Sequence, residues 1–148
     1  MKTTYATPFE AARFAESFLR NKPNYSECAY VAKRPLSFLP GVISSRNSGL
    51  LDRENLELAH EQIIFPNSGD NIGWGNEGLF SEPLSKQGYT YDNVCHNGET
   101  MRRAIATLPL QNRFDNKNHY HVFWNNCQDF VSAIKQRLSR MQKLQTKK

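Results

Sequence analysis

Residues 126–131 of the chain read Asn-Cys-Gln-Asp-Phe-Val, and the apolar positions from there onward repeat at helical spacing. Five apolar residues fall on one face of this predicted helix: Phe130, Val131, Ile134, Leu138 and Met141. The other face is polar and basic, and Asn125 and Asn126 interrupt the aromatic segment before it. We therefore expect a long amphipathic helix that begins at Cys127 and packs its apolar face on the rest of the fold.

The sheet that covers this helix is predicted from an alternating segment, Leu56 to Phe65. One face of that strand carries Leu56, Leu58, His60, Gln62 and Ile64. Ile63 and Phe65 point to the opposite face. Turn residues 67–70 follow, and Asn71 to Trp74 is predicted to return as the partner strand of a hairpin. His60 therefore lies inside a core strand.

Further segments complete the predicted order of elements. They are a helix that begins at Thr7-Pro8-Phe9-Glu10, an extended segment from Cys28 to Lys33, a helix from Glu99 to Leu108 and a strand from His119 to Trp124. Turn-forming residues between Pro35 and Asn55 predict a long loop that faces a substrate. The sequence thus predicts an α+β fold, with a small antiparallel sheet packed against the cysteine-bearing helix and a cleft between them.

Length and composition limit the chain to one domain, residues 1–148, with a basic C-terminal helix end and tail. Of its 148 residues 39% are apolar and 11% aromatic, enough for one hydrophobic core and too few for a second. No apolar stretch approaches the roughly 18 residues that a membrane-spanning helix needs. Met1-Lys2 leads into polar Thr3 and Thr4, so we expect no signal peptide. Synthesis in the cytoplasm is expected, followed by residence there or export by a signal-independent route.

The net charge of +5 is concentrated at one end of the chain. Six basic residues follow the last acidic residue, Asp129: Lys135, Arg137, Arg140, Lys143, Lys147 and Lys148. Without these six charges the remaining chain has a net charge of −1. We therefore predict no specific nucleic-acid binding and at most a weak electrostatic contact with anionic membranes. Nothing in the sequence indicates an oligomeric state.

Three cysteines, Cys28, Cys95 and Cys127, lie far apart in the chain, which argues against a disulfide framework and for at least one free thiol. Cys127 is the candidate nucleophile, because the positive end of the helix dipole and the N–H groups of the first turn favour a thiolate. The same N–H groups are suited to bind the oxyanion of a tetrahedral intermediate. His60, held rigidly in its strand, is the candidate general base.

The segment Asn126-Cys127-Gln128-Asp129-Phe130-Val131 resembles the Asn-Cys-(Glu or Gln)-x-Phe-Val signature of the circularly permuted papain-like cysteine enzymes. That group includes lecithin retinol acyltransferase and the permuted relatives of NlpC-type cell-wall peptidases. In it the histidine strand precedes the cysteine helix, and the segment Leu58 to Phe65, with His60, matches that order. The resemblance covers about half the chain, from His60 to Leu138. It implies a permuted papain-like fold and a catalytic pair of Cys127 and His60.

The third residue of the site is predicted on the strand that follows His60. Members close to the lipid acyltransferases carry a further polar residue there, often histidine, and this chain has Asn71. An asparagine side-chain oxygen can accept the imidazole N–H and so set its tautomer and ring plane. Asp70 is the alternative, and both residues are also suited to building the hairpin turn.

Two residues are predicted to bind substrate. Trp74 is expected to form an apolar cleft wall together with Phe80, and His121 is expected to donate to the oxyanion. His119 and His121 alternate on a predicted strand and are types that bind zinc, but no Cys-x-x-Cys or His-Glu-x-x-His spacing accompanies them. We therefore expect no metal and no cofactor.

These features together predict a cysteine-dependent amide hydrolase, a peptidase or amidase that works through an acyl-enzyme. The resemblance implies a peptide or peptidoglycan-like substrate. A compact basic enzyme for which we expect no signal peptide is suited to delivery as a toxin by a specialised secretion route, or to action inside a cell as a peptidase or deamidase. A lipid acyltransferase, thioesterase or phospholipase that uses the same pair is one alternative, although no hydrophobic membrane anchor is evident. A non-catalytic binding module with an inert Cys127 is the other.

Overall fold

The computed structural model describes residues 2–20, 26–35, 59–84, 88–121 and 124–146, and these ranges form short strands and three α-helices. In chain order the elements are β1 (Thr3–Tyr5), α1 (Pro8–Arg20), β2 (Cys28–Pro35), β3 (Ala59–Ile64), β4 (Asn71–Gly75), β5 (Gly78–Ser81), β6 (Thr90–Tyr91), β7 (His96–Asn97), α2 (Gly98–Thr107), a 3₁₀ turn (Lys117–His119) and α3 (Cys127–Thr146). The predicted loop beyond Pro35 and the first three residues of the predicted histidine strand lie outside the described residues.

The strands form one antiparallel sheet in the order β1-β5-β4-β3-β2-β6, and β7 pairs with the start of β2. Strand β3 carries His60, and β4 returns beside it after a turn, as the alternating pattern predicts. A two-residue turn then joins β4 to β5. At Gly78, φ is +105° and an added Cβ would lie 2.8 Å from the Tyr5 carbonyl oxygen, so this position requires glycine. The predicted α+β class with a small antiparallel sheet is confirmed.

The register of strand pairing gives the sheet two chemically different faces, because side chains alternate along each strand. The inner face packs against the helices and is apolar; its buried side chains include Val31, Ile63, Ile72, Trp74 and Leu79. The outer face, on the other side, carries mainly polar groups: Arg34, His60, Gln62, Asn71, Phe80 and Glu82. The apolar side of α3 joins the inner core. The His60 ring therefore does not lie in the predicted cleft between the sheet and the helix.

Local signals set the starts of the helices. The Thr7 hydroxyl accepts from the N–H of Glu10 at 3.3 Å in front of α1, and the Asn97 side chain accepts from the N–H of Thr100 at 2.9 Å in front of α2. Phe130, one of the five predicted apolar residues of α3, is buried in the core, and its companions on that face also pack there. No helix in the described ranges is long and apolar enough to cross a bilayer.

A buried arginine on α2 connects three separate parts of the chain. Arg102 Nε donates to Glu27 Oε2 at 2.7 Å, and one of its terminal nitrogens donates to Asp70 Oδ2 at 2.8 Å. The side chains of Arg102 and Glu27 are only 1% and 3% exposed. Asp70, the alternative third residue of the site, is therefore committed to this ion pair in the hairpin turn.

The predicted strand from His119 to Trp124 is wrong for the residues that the structure describes. Lys117–His119 form a 3₁₀ turn, because the Asn116 side chain accepts from the N–H of Asn118 at 3.0 Å. His121 and Asn125 exchange two backbone hydrogen bonds and so form an isolated bridge instead of part of a strand. Aromatic and β-branched composition favoured a strand here, but these polar caps close the chain into turns.

Cys28 and Cys95 form a disulfide bond, which the wide cysteine spacing did not predict. The pairing of β7 with β2 places Cys28 opposite Asn97, so the two cysteines meet with their α-carbons 5.1 Å apart. All three cysteines lie in the described ranges, and Cys127 is the one that remains unbridged. The prediction of at least one thiol outside a disulfide is thus confirmed, whereas the argument against a disulfide framework did not anticipate this single bond.

Candidate active site

Cys127 is the first residue of α3, as predicted, because its neighbours cap the helix. Asn126 Oδ1 accepts from the N–H groups of Gln128 at 3.1 Å and Asp129 at 3.2 Å, and Asp129 Oδ2 accepts from the N–H of Asn126 at 2.9 Å. This reciprocal cap rigidly sets the start of the helix. It also occupies two of the N–H groups that the sequence analysis assigned to an oxyanion, which corrects that expectation.

The sulfur of Cys127 lies at the edge of β3, beyond the point where this strand pairs with β4. The N–H of Glu61 donates to the sulfur at 3.4 Å, and the thiol donates to the carbonyl oxygen of Ala59 at 3.8 Å. These two peptide groups stand on either side of the His60 α-carbon. The fold therefore brings the thiol against the backbone of the predicted histidine, and Cys127 is fully buried there.

The His60 side chain lies on the outer face, 5.1 Å from the Phe80 ring centre. Its Nε2 is 2.6 Å from Gln62 Oε1, and among the described residues no hydrogen bond joins the imidazole to the Cys127 sulfur. Burial lowers the pKa of His60 to about 3; the charges of Arg34 and Lys2 act in the same direction, while Gln62 opposes them. The imidazole is thus neutral at neutral pH.

Asn71 was expected to accept the imidazole N–H, but Gln62 stands between the two residues. Gln62 Nε2 donates to Asn71 Oδ1 at 2.8 Å, so Asn71 reaches His60 only through Gln62. The reason is geometric: Asn71 pairs with Ile64, two residues further along its face than Gln62, and a glycine, Gly73, follows it on that face. The alternating pattern had placed Gln62 beside His60 without indicating this contact.

A second group of polar side chains on the outer face was missed by the sequence analysis. Arg34 Nε donates to Glu82 Oε2 at 3.1 Å, and the Tyr89 hydroxyl donates to the same carboxylate. Burial raises the pKa of Tyr89, and the hydrogen bond to Glu82 adds to that effect. These three residues come from separate segments. The pairing of Arg34 with His60 across β2 and β3 brings Arg34 to the site, and two hydrogen bonds between the Asn71 side chain and the Glu82 backbone hold Glu82 beside it.

The two predicted substrate-binding residues lie elsewhere. Trp74 is on the inner face, fully buried against Phe114, and its indole N–H donates to the carbonyl of Asn125 at 2.9 Å. It is therefore a core residue, and the prediction that it walls a cleft is wrong. The His121 ring stacks on Trp124, which is 71% exposed, with the ring centres 3.4 Å apart. Its role as an oxyanion donor stays a prediction.

Two further features bear on ligands. His119 Nδ1 is 3.0 Å from Asp115 Oδ1, and no group of three or more potential metal ligands gathers anywhere in the described ranges. A cavity of about 370 Å³ adjoins Asn71 and Glu82, between α1 and the hairpin turn, but its lining includes neither Cys127 nor His60. This cavity is consequently separate from the thiol site.

Comparison of the chain with protein-family models, with curated proteins and with solved structures finds no match. The function is therefore inferred from the geometry of the site and from the resemblance of residues 126–131.

Proposed function

We propose that this protein is a cysteine-dependent amide hydrolase of permuted papain-like architecture, with Cys127 as nucleophile and His60 as general base. One observation carries the proposal: the sulfur is hydrogen-bonded to both peptide groups that flank the His60 α-carbon. Imidazole Nδ1 is three bonds from that carbon, so the proposed base is anchored beside the thiol, and proton transfer requires the Cys127 side chain to move toward Nδ1 while His60 keeps its contact with Gln62. Catalytic hydrogen bonds are often long before substrate binds and shorten in the reactive complex.

The proposed reaction follows from these groups. The thiol proton passes to the nitrogen of His60 that does not contact Gln62, and the sulfur attacks the carbonyl carbon of the amide. The C–N bond breaks, and the leaving amine takes the proton from His60. Water then gives a proton to His60 and attacks the thioester, and the acid is released as the proton returns to the sulfur. By resemblance, a peptide or peptidoglycan-like chain is the proposed substrate.

One observation favours a non-catalytic alternative, the binding module. The thiol is fully buried, and both its donor and acceptor functions are satisfied by the backbone of β3. A structural cysteine would have the same surroundings. For catalysis, atoms around the sulfur must move before a substrate carbonyl can reach it.

Intact mass spectrometry distinguishes the two functions. The protein is incubated with peptidoglycan stem peptides, isopeptides and phospholipids, and Cys127→Ser serves as the control. Because Cys28 and Cys95 are bridged, an acyl adduct is expected on one thiol, and its mass identifies the substrate class. Labelling of Cys127 by iodoacetamide without any acyl adduct would support the binding module, and an adduct from phospholipid alone would support the lipid enzymes.

Replacement of the proposed base gives a second test. His60→Ala is expected to lower turnover by about a hundredfold or more, whereas His119→Ala, in an exposed 3₁₀ turn, serves as the matched control. A folded His60→Ala variant with full activity would remove His60 from the mechanism.

A further inference from the structure

We propose that Gln62 and Asn71 form a two-amide relay that holds the His60 proton on Nε2 and leaves the lone pair of Nδ1 available for the Cys127 proton. Gln62 is then the positioning residue of the site, and Asn71 positions Gln62. The catalytic consequence rests on the proposed function, whereas the placement of the proton is a property of the fold and is testable by itself.

Backbone groups, whose donor and acceptor roles are unambiguous, determine the orientation of the Asn71 amide. The Asn71 side-chain nitrogen donates to the carbonyl oxygens of Gly69 and Glu82, each at 2.9 Å. The N–H of Glu82 donates to Asn71 Oδ1 at 3.0 Å. Three main-chain groups thus determine which end of the Asn71 amide is oxygen, and that oxygen faces Gln62.

The orientation of Gln62 follows from that of Asn71. The Gln62 atom 2.8 Å from Asn71 Oδ1 must be a donor, so it is the amide nitrogen. The oxygen at the other end of the amide then faces His60. Gln62 is fully buried, so its amide group cannot exchange these hydrogen-bond partners for bulk water.

The orientation of Gln62 in turn determines the tautomer of His60. Gln62 Oε1 only accepts, so the ring nitrogen 2.6 Å away must donate, and the single proton of the neutral ring is on Nε2. The opposite tautomer would place a lone pair against a lone pair at that distance. When Nδ1 takes the thiol proton, the imidazolium still donates from Nε2 to Gln62, so this hydrogen bond is kept in both protonation states of the ring.

The absence of a side chain at residue 73 leaves the space that Gln62 and His60 occupy. An added Cβ at Gly73 would lie 1.8 Å from Gln62 Oε1 and 2.9 Å from His60 Nε2. The contact between the amide and the imidazole therefore exists only because residue 73 has no side chain. Phe80 covers the neighbouring side of the ring, which limits rotation of His60 away from Gln62.

Nuclear magnetic resonance of the wild-type protein labelled with ¹⁵N in histidine tests the relay directly. The nitrogen that carries the proton is distinguished from the one with the lone pair by its chemical shift, and the His60→Gln spectrum identifies the His60 signals by their loss. We expect the Nε2–H tautomer alone. A proton on Nδ1, or a mixture of tautomers, overturns the relay whether or not the protein hydrolyses amides.

Variants test the consequence for catalysis. Gln62→Met is expected to give a mixture of tautomers and to lower kcat about tenfold or more, with KM little changed. Gln62→Glu keeps an acceptor for Nε2–H and is expected to recover part of that loss. The control is Gln136→Met, the same substitution at an exposed position of α3. Wild-type kcat in a folded Gln62→Met variant would overturn the positioning role, while an Nε2–H spectrum without any acyl-enzyme would overturn only the proposed function.

Discussion

The indole N–H of Trp74 donates to the carbonyl oxygen of Asn125 at 2.9 Å and so ties strand β4 to the residue two positions before Cys127. This contact joins the inner core to the start of α3. The position of the thiol therefore depends on a core aromatic residue as well as on the cap of its own helix.

Trp74→Phe is expected to lower the free energy of unfolding by about 1–3 kcal/mol, because the hydrogen bond from the indole N–H to the Asn125 carbonyl is lost and the smaller ring leaves space in the core. Alkylation of the buried Cys127 is expected to become faster as the start of α3 opens more often. Urea unfolding and timed mass spectrometry measure the two effects. Trp124→Phe, at an exposed position, is the control. Equal effects of the two substitutions would contradict a role of the hydrogen bond between Trp74 and Asn125 in holding the start of α3.

Gly73→Ala is expected to displace the contact between Gln62 and His60 and to destabilise the fold by about 1–3 kcal/mol. Turnover is expected to fall with stability, because both members of the contact move. Gly75→Ala is the matched control on the same strand, since an added Cβ there meets Phe80 only at 3.4 Å. Thermal unfolding and kinetics compare the two, and a Gly73→Ala protein that behaves like Gly75→Ala would show that the space beside Gln62 is not needed.

Arg102→Met is expected to cost about 3–5 kcal/mol of stability, because it leaves the buried Glu27 carboxylate without its cation. The neighbouring Arg103→Met removes an exposed pair with Glu99 and is expected to cost less than about 0.5 kcal/mol. Chemical denaturation of both variants provides the comparison. Similar losses of stability in the two variants would show that the buried ion pair of Arg102 contributes no more than the exposed pair of Arg103.

The lowered pKa of His60 predicts a pH dependence of stability. The folded-state pKa is about 3 and the ordinary value 6.5, so between these pH values the unfolded chain binds a proton that the folded protein excludes. The free energy of unfolding is therefore expected to fall on acidification through this range, by about 1.4 kcal/mol per pH unit from this group. Comparison with His60→Leu isolates the contribution, and parallel pH curves for the two proteins would refute it.

Reduction of the Cys28–Cys95 disulfide is expected to destabilise the protein, because the bond closes a loop with a sequence separation of 67 residues. Chain entropy alone gives about 4 kcal/mol, or a decrease in Tm of about 10 °C for a domain of this size. Calorimetry with and without reductant measures it. The double variant Cys28→Ala, Cys95→Ala should not respond to reductant, and an unchanged wild-type Tm would show that the bond contributes no stability.

Local patterns were sufficient for several features. Asn126 and Asp129 cap a helix from within four residues of sequence, so the start of α3 at Cys127 was predictable. Period-two alternation likewise placed His60 and Gln62 on one face of β3. In each case the interacting groups are neighbours in the chain, and the backbone geometry of one element fixes their relationship.

What the sequence by itself determined is thus the three helices, the hairpin of β3 and β4 and the thiol at a helix start; the tertiary structure decided which groups meet. Strand register put Gln62, rather than Asn71, against the His60 ring, and the pairing of β7 with β2 brought Cys28 to Cys95. Trp74 became a core residue because its face of β4 packs on the helices. Such contacts join residues distant in the chain, and their positions depend on how strands align and pack, which no local pattern of side chains specifies.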